Sequence, residues 1–178
     1  MKKIKTNFKD LFIIKSKKFL DKRGFFRELM IEKIIKKRLI FFVVSKTKKN
    51  YLRGLHLQTE KKQGKYLSVV KGRIFDVGVD CRKKSKTFGK YFKIILSDKN
   101  CTSVYIPPGF AHGFIGLDEE NIVVYGCTQY RHKKSETGIM WNDQTINIKW
   151  PIKRPKISTK DKNNLSFSDF SKKKLKNR

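Results

Sequence analysis

Hydrophobic and polar residues alternate along much of the chain with a period of two. The clearest case is the segment 74–80, where every second residue from Phe75 onward is apolar. This alternation is typical of strands that bury one face. Turn signals such as Lys71-Gly72 and Asp98-Lys99-Asn100 separate the β-rich segments. The expected strands are 11–15, 25–31, 41–45, 51–58, 66–70, 74–80, 91–97, 102–106, 110–117, 122–129 and 146–150.

Many short strands separated by turns favour an antiparallel sandwich or barrel. Helical signals are few. Residues 32–38 predict one short helix, and Ser158 suits the N-cap of another that would include Asp161. No repeat or linker divides the sequence, so we expect residues 1–178 to form a single domain. Its end, about residues 165–178, is rich in lysine and is expected to be poorly ordered.

The composition indicates a globular protein. Hydrophobic residues make up 38% and aromatic residues 12% of the chain, which is enough for a core. The longest apolar runs, 39–44 and 122–125, are far shorter than the roughly 20 residues of a membrane helix. The basic start of the chain is not followed by an apolar segment, so we expect no secretory signal and no membrane partner.

The formal net charge of +29 arises from 44 Lys+Arg against 15 Asp+Glu. Such an excess can indicate nucleic-acid binding. The lysines are spread from Lys2 to Lys176, however, and RNA-binding signatures are absent from the sequence. We therefore expect a solvated basic surface and no nucleic-acid partner, although a non-catalytic protein that binds a polyanion is the remote alternative. The charge would also attract anionic small substrates.

Cys81, Cys101 and Cys127 form no CxxC pair, and their number is odd. This argues against a disulfide framework and against structural zinc, and it fits a cytoplasmic location. We expect all three to be small buried hydrophobic residues.

Two of the three histidines are candidates for chemistry. His132 lies in a basic turn and is expected at the surface. His56 and His112 lie in predicted strands near glycines, which points to a shared cavity in the barrel. A catalytic metal is not expected, because Gly54 and Gln58 occupy the positions where a second histidine would complete a pair around His56.

Without a metal, a histidine base needs a carboxylate that orients the ring. Spacing alone does not choose among the candidates, which are Asp76, Asp80, Asp143 and Asp161. A proton donor could come from Tyr125 or Tyr130, although a buried tyrosine is more often part of the core.

Nine motifs occur in a characteristic order: DKRGFFRE at 21–28, LRGLHLQ at 52–58, QGK at 63–65, GRIFDV at 72–77, VDCR at 79–82, SKTFG at 85–89, IPPGFAHGF at 106–114, WND at 141–143 and WP at 150–151. Together they resemble the dTDP-4-dehydrorhamnose 3,5-epimerase family, from about residue 8 to about residue 163. The resemblance implies an all-β cupin fold, a jelly-roll double-stranded β-helix barrel. It also implies an N-terminal strand extension and a short helical C-terminal segment.

The resemblance implies an epimerase that needs no cofactor and acts on a nucleotide-diphospho 4-keto-6-deoxy sugar. The protons at C3 and C5 flank the C4 carbonyl, so removing either gives a resonance-stabilised enolate. By resemblance, His56 looks like the base and Tyr125 like the acid on the opposite face. Lys65 looks like the cation near the oxyanion, and Asp161 like the partner of His56. A one-carbon 3-epimerase and a ketoisomerase are the alternatives.

The resemblance also implies substrate-binding residues and a homodimer whose first strands exchange between subunits. Arg23 and Arg53 look like contacts to the diphosphate or the sugar, and Phe26 is expected to pack against the nucleotide base. Further substrate contacts are expected from Glu28, Gln58, His112, Tyr130, Glu136 and Lys160.

One segment departs from the family pattern. The family usually has a Gln-Asp-Asn-like segment that contacts the nucleotide, whereas this chain has Val44-Ser45-Lys46. Ser45 or Lys46 would have to serve instead. Thymidine is the expected nucleoside, with guanosine and cytidine as alternatives.

Overall fold

Thirteen strands form two facing sheets and a separate hairpin within residues 1–173, the part of the chain that this computed structural model describes. The strands are β1 (Lys2–Lys5), β2 (Phe12–Lys15), β3 (Phe19–Asp21), β4 (Gly24–Phe26), β5 (Phe41–Lys48), β6 (Leu52–Gln58), β7 (Lys65–Lys71), β8 (Arg73–Asp80), β9 (Tyr91–Ser97), β10 (Thr102–Ile106), β11 (Phe110–Gly116), β12 (Glu120–Cys127) and β13 (Glu136–Gly138).

The two sheets have the layered antiparallel architecture of a cupin barrel, which confirms the predicted fold class. One sheet has six strands in the order β1-β2-β10-β7-β12-β5, and the other has five in the order β13-β6-β11-β8-β9. Strands β1 and β2 extend the larger sheet at its N-terminal edge. The hairpin formed by β3 and β4 pairs with neither sheet.

Apolar side chains occupy the space between the sheets and also cover both outer faces. Between the sheets, Leu67 and Val104 of the larger sheet pack with Ile74 and Phe114 of the smaller one. The outer face of the smaller sheet carries a second cluster, in which strand residues pack against the C-terminal part of the chain: Leu55, Val77, Ile115, Ile146, Phe167 and Phe170. The outer face of the larger sheet is covered in part by Ile35 and its neighbours. The strands therefore bury both faces over much of their length.

Three short helices lie outside the sheets: α1 (Glu32–Ile35), α2 (Thr159–Lys162) and α3 (Phe167–Lys172). Helix α2 begins after Ser158, whose hydroxyl accepts a hydrogen bond from the Asp161 N–H, as the capping pattern predicted. Among the described residues, no helix has the length and apolarity needed to cross a membrane. The three cysteines are free and buried, as expected.

Three expectations about the elements are wrong. The strand predicted at 25–31 ends at Phe26. Residues 146–150 form no strand, because Asn147 has a left-handed backbone (φ 51°) and Asp143 caps a turn there, accepting the N–H of Ile146. The stretch expected to be poorly ordered, 165–178, instead contains α3, whose Phe170 is fully buried. Residues 174–178 of that stretch lie outside the described residues.

Candidate active site

An open cavity of about 600 Å³ lies between the two sheets, next to a second one of about 520 Å³. Strands β5, β6, β7, β11 and β12 supply most of the walls. Half of the polar site residues expected from the sequence line both cavities: Arg53, His56, Lys65, His112, Tyr125 and Lys160. The two cavities therefore form one site.

An irregularity in β6 turns Arg53 and His56 toward the same cavity. Residues three apart on a regular strand face opposite sides, but the β6–β11 register shifts between His112 and Phe114. Gly54, at this point, has a backbone φ of 126°, a conformation that favours glycine. A Cβ on Gly54 would lie only 2.5 Å from Cα of Gly113 on the neighbouring strand. Two facing glycines therefore make the irregularity possible.

His56 pairs with Asp161 at 2.5 Å, through its Nε2 atom. Asp161 stands on α2, which packs against β6, and the backbone N–H of Gly54 donates to its other oxygen at 3.3 Å. Burial opposes ionisation of Asp161, but these hydrogen bonds outweigh it and hold the pKa of the carboxyl below its usual value. The pair leaves Nδ1 of His56 free to act toward the cavity.

Lys65 and Tyr125 face the same cavity from β7 and β12. Burial lowers the pKa of the Lys65 ammonium group, and Cys127, Glu136 and Asp76 oppose that shift. Burial raises the pKa of the Tyr125 hydroxyl, so Tyr125 holds its proton at neutral pH. The cavity thus presents an imidazole paired with a carboxylate, a poorly hydrated ammonium group and a protonated phenol.

His112 lies directly across from His56, since the two are register partners on β11 and β6. Its Nε2 pairs with Oδ2 of Asp76 at 2.8 Å, and both residues are buried. The two histidines therefore use different aspartates from the predicted set, while Asp80 is held by Arg82 and Asp143 caps backbone N–H groups. Within residues 1–173, His, Cys, Asp and Glu form no group of three or more suited to a metal ion.

Thr47 holds the Arg53 guanidinium, a contact that sequence reasoning missed. Arg53 donates from Nε to Oγ1 of Thr47 at 2.8 Å and from Nη2 to the Lys46 carbonyl at 2.9 Å. The alternation of β5 could have placed Thr47 inward, on the same face as Ser45. Ser45 and Lys46 both line the larger cavity, but the Lys46 ammonium group is held in an ion pair with Glu120. Of the two proposed substitutes for the family's Gln-Asp-Asn segment, Ser45 is therefore the better placed.

Charged and aromatic side chains border the smaller cavity. Glu136 forms ion pairs with Arg131 and with Lys160, at 2.8 and 3.1 Å. The expected binding residue Tyr130 lines neither cavity, but its exposed ring stacks on Phe41, which lines the smaller one.

Gln58 lines the smaller cavity, but its amide is committed to three backbone groups. It donates to the carbonyls of Lys61 and Tyr130 and accepts the N–H of His132. In this structure the Gln58 amide therefore links two loops.

Three expected binding residues, Arg23, Phe26 and Glu28, do not line the cavities around His56. Arg23 and Phe26 lie on the β3–β4 hairpin, and Glu28 follows it. The Arg23 side chain is 91% exposed and pairs with Asp21, and Phe26 is 65% exposed. A single subunit does not bring these residues to the site, because the hairpin pairs with neither sheet and Phe26 lines a separate pocket with Val70 and Asp98.

Proteins of known function resemble this chain in sequence and in structure. The sequence model of the dTDP-4-dehydrorhamnose 3,5-epimerase family matches residues 5–169. The dTDP-4-dehydrorhamnose 3,5-epimerase of Shigella flexneri is 44% identical, over 95% of this chain and 97% of the relative. The crystal structure of an epimerase from Legionella pneumophila, in complex with dTDP-4-keto-L-rhamnose, has a TM-score of 0.88 and 38% identity. It covers 93% of this chain and 92% of that one. A Bacillus anthracis dTDP-4-dehydrorhamnose 3,5-epimerase with TDP and PPi bound matches with a TM-score of 0.88, 37% identity and coverages of 93% and 98%.

Proposed function

Because the chain belongs to the dTDP-4-dehydrorhamnose 3,5-epimerase family, we propose that it inverts C3 and C5 of a dTDP-4-keto-6-deoxyhexose in deoxysugar synthesis of the dTDP-L-rhamnose type. The observation that carries the proposal is the His56–Asp161 pair, which faces the same cavity as Lys65 and Tyr125. Epimerisation beside a carbonyl needs a base, an acid on the other face and a charge for the enolate oxygen.

His56 is the base in this mechanism. Asp161 accepts the hydrogen bond from Nε2 and so keeps the proton on that nitrogen, which leaves the lone pair on Nδ1. Nδ1 removes the proton from the carbon next to the carbonyl. The imidazolium that forms is stabilised by the Asp161 carboxylate, which the surrounding hydrogen bonds keep ionised.

Lys65 stabilises the enolate, and Tyr125 completes the inversion. Negative charge develops on the former carbonyl oxygen, and a buried ammonium group acts on that charge more strongly than a hydrated one. Tyr125 then delivers its proton from the opposite face. Its raised pKa supports this role, because the phenol is protonated before the reaction starts. The same base and acid act at C3 and C5, one carbon after the other. Between the two inversions the His56 imidazolium gives its proton to solvent and the Tyr125 phenolate takes one from solvent.

Arg53 and Ser45 are the residues that we assign to binding of the nucleotide part. Arg53, held by Thr47, offers a fixed guanidinium fork for a diphosphate. Ser45 on β5 is the nearest equivalent of the family's nucleotide-contacting segment. Thymidine as the nucleoside is supported by relatives with dTDP-4-keto-L-rhamnose or TDP bound.

A cytoplasmic homodimer is the proposed working form. The β3–β4 hairpin exposes apolar side chains that a single chain leaves uncovered: Phe19, Leu20, Phe25 and Phe26. Exposed apolar groups clustered on one element favour burial against another chain. If each hairpin reaches into the partner subunit, Arg23, Phe26 and Glu28 of one subunit complete the site around His56 of the other.

The decisive experiment is incubation of the protein with dTDP-4-keto-6-deoxyglucose in deuterated water. Deuterium at C3 and C5 together with inverted product supports the proposal, and deuterium at one carbon only supports a 3-epimerase. A ketoisomerase would instead move the carbonyl. No exchange at either carbon by folded protein contradicts an epimerase of this substrate.

A further inference from the structure

Asp76 is a buried carboxylate whose placement is not explained by stability. It lies on the inner face of β8 with no exposed surface. Oδ2 is bonded to His112, whereas Oδ1 is buried and has no hydrogen-bond partner among the described residues. Burying a carboxylate with one of its oxygens unpaired is costly, so such a group calls for a functional explanation.

The only directional contact of Asp76 within the described residues fixes the ring of His112. Gly78 stands directly opposite His112 in the β8–β11 register, so no side chain separates the ring from Asp76. A carboxylate only accepts hydrogen bonds, so Nε2 of His112 must carry a proton. In the neutral ring, Nδ1 is then an acceptor. Nδ1 has no hydrogen bond to residues 1–173, and the His112 side chain lines both cavities.

Several neighbouring groups keep the His112 ring neutral. Burial lowers the pKa of His112 and is the largest influence, and Lys65 and His56 act in the same direction. Asp76 opposes them without reversing the shift. Arg53 adds a further cation to the cavity wall, and Tyr125 is protonated at neutral pH. A neutral imidazole with its proton on Nε2 therefore faces the cavity.

We propose that Asp76 is a positioning residue that locks His112 in the Nε2–H form, so that Nδ1 accepts a hydrogen bond from a hydroxyl group of the sugar. This inference rests on the proposed function, because it takes the sugar from there. A sugar linked through C1, with a keto group at C4 and a 6-deoxy carbon, has hydroxyl groups only at C2 and C3. His112 thus selects a hydroxyl donor, whereas the C4 carbonyl oxygen can only accept and is left to Lys65.

The first test is nitrogen NMR of the histidine side chains in the wild-type protein near neutral pH. The chain has three histidines, so the His112 signals are those lost in His112→Gln. We expect a protonated Nε2 and an unprotonated Nδ1. A proton on Nδ1, in either the other tautomer or the imidazolium, overturns the inference without reference to activity.

The second test compares ligands by calorimetry in Asp76→Asn. An asparagine can donate its amide to Nε2, which would move the ring proton to Nδ1 and turn the acceptor into a donor. We expect affinity for a dTDP-sugar to fall about tenfold, while affinity for dTDP alone is unchanged. Nitrogen NMR of the variant shows which way the amide turns. If the ring proton moves to Nδ1, equal losses for both ligands, or none, overturn the positioning role. If the amide oxygen accepts from Nε2–H instead, the tautomer is kept, and a loss of sugar affinity overturns the role.

The epimerase proposal fails on a different observation: the wild-type protein would show no deuterium exchange. If Asp76→Asn does not fold, two other measurements decide the question. One is the tautomer of His112 in the wild-type protein. The other is the affinity of His112→Asn and His112→Leu for the same two ligands. The asparagine keeps an acceptor oxygen, so His112→Asn should retain sugar affinity better than His112→Leu. Equal sugar affinity in the two His112 variants overturns the inference.

Discussion

Arg53 and His56 stand three residues apart on one strand, yet both side chains reach the same cavity. The phosphate-binding fork and the base of the proposed mechanism are therefore set by a single local distortion of β6. Gly54 permits that distortion through its backbone conformation and through its close contact with Gly113.

Gly54→Ala should destabilise the protein and disable the site. The new methyl group would meet Cα of Gly113 and the His112 carbonyl, in a backbone conformation unsuited to alanine. We expect a loss of about 2 kcal/mol or more in unfolding free energy, measured by chemical denaturation. Gly24→Ala is the matched control, because Gly24 also has a positive φ (135°) but nothing lies near its Cβ. Equal losses in the two variants would rule out the contact with Gly113 as the cause.

His56→Asn should abolish deuterium exchange at both carbons while the protein stays folded. Loss of a positioned base is expected to lower the rate by about 10²–10⁴-fold. Asp161→Asn should reduce exchange less completely, because the base itself remains. Exchange is read by mass spectrometry, with circular dichroism as the folding control. Near-normal exchange in folded His56→Asn would exclude His56 as the base.

Tyr125→Phe should separate proton removal from inversion. The variant keeps the ring and its packing and removes only the hydroxyl, so His56 can still take the proton, exchange it with deuterated solvent and return a deuteron to the same face. We expect deuterium to enter the substrate with retained configuration, while inverted product falls much further than exchange does. Both rates are measured in one sample, with a melting curve alongside.

A purely structural Tyr125 predicts a different result. Exchange and inversion would then fall together, in step with any loss of stability. Parallel losses, or none, would remove Tyr125 from the acid role and leave Tyr130 as the next candidate.

The fall in rate on the alkaline side of the pH–rate profile should reflect deprotonation of the Lys65 ammonium group. Burial lowers its pKa, so its positive charge disappears at a lower pH than that of an ordinary lysine. The turnover number should therefore decline before pH reaches the ordinary lysine value of about 10.4. In Lys65→Arg the guanidinium stays charged, so this fall in rate should move to higher pH even if the maximum rate is lower. Superimposable alkaline sides of the two profiles would contradict the assignment.

Mixing two inactive variants should restore activity if sites are shared between subunits. In a mixed dimer of Arg23→Ala and His56→Asn, one site combines the intact hairpin of one chain with the intact base of the other. After random subunit exchange, half of the dimers are mixed and each has one intact site, so about a quarter of wild-type activity is expected.

The control for complementation combines His56→Asn with Asp161→Asn. Both residues lie in the cavity of one chain, so mixing these variants should give no more activity than the mean of the two measured separately. No recovery in the first mixture, with subunit exchange verified by mass spectrometry, would argue that each chain forms its own complete site.

Strands β9 and β10 were predictable because the turn signal at 98–100 separates two β-rich segments, although every residue of β10 is buried. The strand expected at 146–150 failed because its apolar residues cover the outer face of a sheet without joining it.

The partners of the histidines were not predictable from spacing, since Asp161 is 105 residues from His56 and Asp76 is 36 from His112. The family resemblance assigned Asp161 to His56, and the structure pairs the two. Asp76 was only one of four candidate carboxylates, and the folded chain is what places it against His112.

The position of the β3–β4 hairpin relative to the site was also not predictable from the sequence. Motif resemblance assigned Arg23, Phe26 and Glu28 to the site, and no local pattern indicates that a single chain holds them away from it. Thr47 was missed for a different reason, since a threonine in a strand is common and its bond to Arg53 depends on the distortion at Gly54.

Asp161 lies on α2, and every described strand of both sheets precedes it in the chain. The ribosome therefore makes all of these strands before it makes the carboxylate partner of His56. The segment that carries Asp161 also completes the fold, because Phe167 and Phe170 of α3 pack against the smaller sheet and Lys160 lines the cavity. Domains generally fold as units. A prematurely terminated product that ends before α2 would therefore lack the partner of His56 and part of the core at the same time, so incomplete chains should not accumulate as folded, half-active protein.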